Sequence, residues 1–430
     1  MFRVFKDKRH LVEFCCAFAL ILTMILFVTF RYDASKQASM FLRMLAGSII
    51  GYALARASFG FAGTVNRACN TGSTKLMKAV ALLFLLGGLV TFVAILGGVL
   101  NPAKLSGNTI NYGLIIGATL FGFGMSFTVC CASGVLTDLA ESPIKAIFVL
   151  LFFCFGAFLG LALKKQEWMA WYKQPLFGIA GLNQNINFTQ MVPGNVLWGA
   201  IVGVIMTFIL VSCVIIIADF YEKRRKAANT YIGCGSEIAQ EKEAVEHVKD
   251  ENAGVELFYN VFTKPWSLAK GATVIAIGYA VLVFGLKSGW GVSGPLGQWF
   301  ARLLMIFGVP AEAIKNFSGY NPATPFWDNA MYVQDISIFL GALIAYLLAG
   351  NFTRNVKGWL FKPLELVLYA IGGIILGIAI NIAGGCNAGG LFTPIAQFSL
   401  SGWIYLVCIV IGGFAGNYVR KLFRKSCKLD

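Results

Sequence analysis

Two cysteine-bearing segments interrupt apolar stretches of this chain with glycine. In Gly384-Gly385-Cys386-Asn387-Ala388-Gly389-Gly390 the thiol is flanked by paired glycines and followed by Thr393 and Pro394. In Val129-Cys130-Cys131-Ala132-Ser133-Gly134 the same Cys-x-x-Gly spacing begins at Cys131. A neutral thiol is a weak, polarisable donor, better matched to a soft sulfur or selenium centre than to a hard oxyanion. Asn387 adds two amide donors and Thr393 a hydroxyl, while Gly134, Gly385 and Gly389 leave backbone N–H groups unscreened. Helix N-termini at such breaks present free N–H groups and a positive dipole end, which suits an anion that binds and leaves.

Those residues need helices broken at depth. The run from Leu364 to Ala383 ahead of Cys386 is long enough to span a bilayer. Glycine then weakens the helix and Pro394 removes a donor. Freed backbone groups at membrane depth are tolerated only beside a wet cavity or inside protein. Composition agrees: 58% of the 430 residues are hydrophobic, 13% charged, and the mean hydropathy is +0.73. Soluble domains carry about 25% charged residues, so this is an integral membrane protein. The net charge of +15 is read as basic flanks of membrane spans, not as a nucleic-acid surface.

Ten apolar runs, near 11–30, 42–62, 79–99, 112–132, 146–163, 194–218, 270–287, 334–350, 364–385 and 402–418, predict an all-α polytopic membrane protein with about nine or ten transmembrane helices. The glycine-rich breaks predict short re-entrant half-helices, and Gly289 to Phe307 is a further candidate for one. Basic Met1 to His10 followed by a long apolar run reads as a first span or signal anchor. The polar stretch opening at Asp219, with Lys223-Arg224-Arg225-Lys226, divides an N-terminal membrane half (1–218) from a C-terminal one (268–430) across a linker at 219–267. The positive-inside rule puts that linker and both termini, with Arg3, Lys6, Arg420 and Lys428, in the cytoplasm of an inner (plasma) membrane protein. Trp168, Trp171, Tyr172, Tyr320 and Trp327 fall in two outer loops, 164–193 and 308–333, as interfacial anchors or a lid.

The halves repeat. The segment at 122–134 matches 377–389, and Ser58 to Thr64 resembles Ser288 to Pro295, early and late in each half. Duplicated halves with matching interrupted helices point to a transport site near the midplane. Absences narrow the cargo. His10 and His247 lie outside the apolar runs, and Glu13, Asp219, Asp335 and Glu365 are read as loop or span-end residues, so no buried carboxylate is expected and a cation pump is disfavoured. Eleven cysteines form no Cys-x-x-Cys pair, so neither a metal site, a cofactor nor a disulfide framework is expected. Cys15, Cys154, Cys213 and Cys408 read as packing residues. Arg56 is either an intramembrane functional arginine or a flank that snorkels, and Cys69 and Cys130 are secondary candidates.

The run Gly377 to Trp403, with Gly385-Cys386-Asn387 and Pro394-Ile395-Ala396-Gln397-Phe398-Ser399-Leu400, resembles the YeeE/YedE family of membrane transporters. So do Phe121 to Gly134, and Arg56 to Arg67 followed by Met77-Lys78-Ala79. The resemblance implies a pseudo-symmetric bundle whose short half-helices meet on an hourglass path, with Cys131 and Cys386 relaying thiosulfate. It further implies uptake through the bilayer without an enzymatic step, and a small cytoplasmic sulfur-carrier protein as partner. Where the family commonly has a cysteine, this chain has Gly60. A selenium compound or another small sulfur species therefore stays open as cargo. No basic residue neighbours Cys131 or Cys386 in the sequence, which speaks against the alternative of a membrane sulfur-transfer or redox protein.

Overall fold

The computed structural model describes residues 8–176, 184–192, 194–246, 253–350, 352 and 363–426. Arg3, Lys6, His247 and Lys428, named above, lie outside these residues, as does Cys427. Helices account for nearly all the regular structure, and no strand occurs among the described residues. Ten segments are long and apolar enough to cross a membrane, one for each apolar run of the sequence. The protein is an all-α, multi-pass membrane protein.

In chain order the helices are α1 (Lys8–Arg31), α2 (Ala34–Arg56), α3 (Phe61–Thr71), α4 (Lys75–Leu96), α5 (Tyr112–Thr128), α6 (Ala132–Glu141), α7 (Pro143–Lys164) and α8 (Val196–Ala227). There follow α9 (Gly235–Val245), α10 (Ala253–Phe258), α11 (Leu268–Leu286), α12 (Leu296–Ile306), α13 (Ala311–Ser318), α14 (Ala330–Leu348) and α15 (Pro363–Ala383). A π-helical turn, Asn387–Phe392, runs into α16 (Thr393–Ala396) as one short helix, 387–396, and α17 (Leu400–Ser426) closes the fold. Two sets share one plan: long, short, long, long, short, long. The first is α2 to α7; the second is α11, α12, α14, α15, 387–396 and α17.

The sets interleave. α7 packs along α15 as α17 packs along α5, and α2 along α14 as α11 along α4. α2 also meets α11, and α5 meets α15. Exchanging the sets turns each contact into another of these, which is a pseudo-two-fold arrangement. The contacts are close because glycine permits them. A Cβ built on Gly51 would stand 1.9 Å from the Ile338 carbonyl oxygen, and one on Gly412 1.9 Å from that of Thr119. In lipid, helix association rests on such packing, not on water exclusion. α1 and α8 lie at the edge, where Phe30, Ile216, Ile217 and Phe220 face outward.

Several long helices start at side-chain caps. Asn111 accepts from the Leu114 amide, Asn195 from Trp198 and Ser267 from Lys270. α8 continues past Asp219 to Ala227 and carries Lys223 to Lys226 on its last turns. Beyond it, α9 docks back on the bundle. Glu237, 1% exposed, pairs with Arg67 at 2.7 Å and accepts from the Ser73 hydroxyl at 2.6 Å. Lys75 meets Glu241 at 2.6 Å, and the Gln240 amide donates to the Ala57 and Trp266 carbonyls.

Candidate functional site

Unlike those capped helices, the short helices at the centre begin without a side-chain cap. α3 starts at Gly60, which has no side chain to cap with, α6 at Cys131 and the 387–396 helix at Cys386, and neither thiol makes a capping hydrogen bond. Their leading N–H groups are therefore left for other acceptors. α3 and α6 run from the centre toward the linker face, where the Thr71 carbonyl accepts from Ile232 and Gly233. The 387–396 helix runs the opposite way, and Gln397 at its end accepts from the Ser106 amide through its side chain while the Phe398 carbonyl accepts from Phe188. α6 and the 387–396 helix touch where they begin.

On the linker face a vestibule of about 450 Å³ leads to this junction. Its walls include Gly60, Asn66, Arg67, Val129, Cys130, Cys131, Gly134, Thr137, Glu141, Ser236 and Tyr346. Cys131 is nearly closed off, at 1% exposure, and its sulfur lies 3.4 Å from the Ser133 hydroxyl. The Gly134 amide of its own helix and the Ala62 amide of α3 lie near that sulfur, without a capping hydrogen bond from α6. Two helix N-termini thus converge on one thiol. Charges in the vestibule are largely matched, Arg67 by Glu237 and Asp138 by Lys145 at 3.1 Å, so among the described residues no free cation lines it.

Cys386 stands on the other side of the junction, also 1% exposed, within electrostatic reach of Cys131 and of the Tyr405 phenol. Tyr405 donates to the Gly385 carbonyl at 3.0 Å, which fixes the turn carrying the thiol. Gly384, Gly385 and Gly389 keep some exposure amid buried neighbours, and Gly389 faces Gly291 and the Trp290 carbonyl. Asn387 donates to the Met125 sulfur at 3.1 Å, while its side-chain oxygen is buried without a partner.

A family model described as "Sulphur transport" matches residues 56–415. The chain belongs to that family. The match spans every element just described at the junction. Among curated relatives of the chain, the thiosulfate transporter TsuA of Spirochaeta thermophila is 24% identical over 338 residues, 76% of this chain and 80% of that one. The probable transporter YedE of Escherichia coli is 33% identical over 128 residues, 30% of this chain and 31% of that one. Its Salmonella typhimurium counterpart is 30% identical over 161 residues, 36% and 39% of the two chains.

The residues singled out from the sequence divide into two groups. Cys131, Cys130 and Gly134 line the vestibule, and Cys386, Asn387, Gly385 and Gly389 gather across the junction. Thr393 is occupied elsewhere: it donates to the Trp290 carbonyl at 2.8 Å and accepts from the Trp290 amide at 3.0 Å, pinning the segment before α12. Arg56 is buried and donates to the Lys264 carbonyl, tying α2 to the linker. Cys69 lies outside the vestibule wall, with its carbonyl held by Arg225 at 3.2 Å. Two features were missed. Asn66 and Asn70 face the vestibule, one helical turn apart on α3, and both bond Asn417 of α17; the i, i+4 pair in an apolar setting was the available signal. Asp335, read as a span-end residue, is fully buried within α14, which corrects the expectation that no carboxylate is buried.

Proposed function

We propose that the protein imports a small sulfur-containing anion, thiosulfate first among them, along a path on which Cys131 and Cys386 are successive contacts. One observation carries the reading: two thiols stand at the starts of two opposed, uncapped short helices within electrostatic reach of each other. A terminal sulfur accepting a thiol hydrogen bond while its oxyanion end meets amide N–H groups satisfies both ends of thiosulfate. Passage from one thiol to the next needs no covalent step and no nucleotide. The name of the TsuA relative supports thiosulfate; a selenium analogue or another small sulfur species fits the same donors. In this reading the linker face is cytoplasmic, both termini share it, and the membrane is the cell's inner membrane. The basic end of α8 is then placed to receive a small sulfur-carrier protein.

The test is uptake of labelled thiosulfate by cells lacking other routes. Loss of uptake in Cys131→Ala and in Cys386→Ala, with both variants present in the membrane, is the expected result. Undiminished uptake in both would remove the thiol path. Competition by selenite, sulfite and sulfate ranks the alternative cargoes.

A further inference from the structure

One group in the bundle is not used by the sulfur chemistry. Asp335 is 0% exposed, and neither of its carboxylate oxygens has a hydrogen-bond partner. It lies in the second turn of α14, inside the membrane-length span Ala330–Leu348. α14 lies parallel to α2, and a Cβ on Gly47, near the middle of α2, would stand 2.5 Å from the carbonyl oxygen of the adjacent Gln334. An unpaired ionised carboxylate at that depth is strongly disfavoured, whereas the neutral acid is tolerated.

Among the described residues, none pairs with it as a countercharge. Cys154 of α7 and Tyr332 of α14 itself are within electrostatic reach. Arg43 of α2 is directed at Gln334, 3.4 Å away, and Asp328 sits in the turn before α14. Glu141 of α6 interacts with Tyr346, and His10 of α1 meets the Leu348 carbonyl, both at the far end of α14; Glu13 lies one turn along α1, and Tyr259 is on that side near Arg56. A metal cation would need several oxygen ligands, and no group of three candidate ligands exists among the described residues. A proton needs only the carboxylate.

We propose that Asp335 is a proton-binding site through which anion entry is coupled to proton entry. The coupling half of this statement rests on the anion-import reading above. Inward movement of a dianion opposes an inside-negative membrane potential, and protons carried with it offset that charge. α14 is placed to link the two events. Beside Asp335, Gln334 donates to the Gly291 carbonyl at 2.7 Å, on the segment that faces Gly389. At the other end, Tyr346 lines the vestibule below Cys131. One helix therefore touches both breaks, and Asp335 sits in its second turn, next to Gln334.

Two measurements test the proposal on the full chain in proteoliposomes. Dicyclohexylcarbodiimide, which reacts with protonated buried carboxyls, labels Asp335 in the wild type at neutral pH, as read by mass spectrometry; absence of label overturns the site. With a pH-sensitive dye inside the vesicles, inward thiosulfate flux acidifies the lumen, and an inward proton gradient accelerates that flux severalfold. Asp335→Asn, the neutral isostere of the protonated acid, keeps thiosulfate exchange but loses both effects. Equal acidification in Asp335→Asn, or thiosulfate flux without acidification in the wild type, overturns the coupling. Label on Asp335 in vesicles that pass no thiosulfate supports the proton site and sinks the substrate reading instead.

Discussion

Cys131 and Cys386 hold the same backbone position on two opposed short helices. Each is the N-cap, extended at φ −118°, ψ −174° and φ −97°, ψ −170° respectively. Each is preceded two residues earlier by a left-handed residue, Val129 at φ 60° and Gly384 at φ 79°. A left-handed residue therefore turns the chain into a thiol from both directions, valine in one half and glycine in the other, with Gly385 at φ 152° as a second positive φ in the latter.

Valine is costly there, because its branched Cβ crowds the backbone at positive φ. Val129→Gly should raise the thermal stability of the purified protein by about 1 kcal/mol, and Gly384→Val should lower it by at least as much. A thermal shift in detergent reads both.

Serine in place of either cysteine keeps a small hydroxyl donor but replaces a soft contact by a hard one. Cys131→Ser and Cys386→Ser should melt within a degree or two of the wild type, while thiosulfate uptake falls about tenfold, the effect of losing one contact worth about 1.4 kcal/mol. Initial uptake rates, corrected for protein in the membrane, decide it.

Two glycines should respond oppositely to a side chain. At Gly51 even a methyl group meets the Ile338 backbone, so Gly51→Ala should cost about 1–3 kcal/mol and part α2 from α14. At Gly60 nothing lies within 4 Å of a built Cβ, so Gly60→Ala should fold normally. Melting temperatures of the two variants make the comparison.

Glu237 holds α9 across the linker face with its charge almost fully buried against Arg67. Glu237→Ala leaves that guanidinium without its partner, a change costing about 3 kcal/mol in buried pairs. α9 should then be cut faster by trypsin added to the linker face. An impermeant maleimide added to the same face should modify Cys131 faster, because Ser236 at the start of α9 is part of the vestibule wall.

Much of this was legible in the sequence because hydropathy needs no partner to be read. All ten apolar runs became spans, and the weak candidate after Gly289 became α12. The two cysteine turns were legible for the same local reason: glycine and proline interrupt helices wherever they fall. What was hidden depends on neighbours distant in the chain. Asp335 looked like the edge of a run starting at Gln334, and only its alignment beside α2 puts it at depth. Thr393 looked free to bind an anion until Trp290 was found against it, 103 residues away. The polar turns of α8 read as linker because residues leaving a bilayer change composition without changing conformation.

The interleaving of the two sets has a consequence for how the chain is made. α5 finds α15 and α17, and α7 finds α15, only after more than two hundred further residues have been synthesised. Until then the glycine-lined faces of the first set have lipid where they will later have helix, and the turn at Cys131 lacks the opposing turn that encloses it. The first six helices of the plan are thus inserted long before they are folded, and the central junction is assembled last, when α17 enters the membrane.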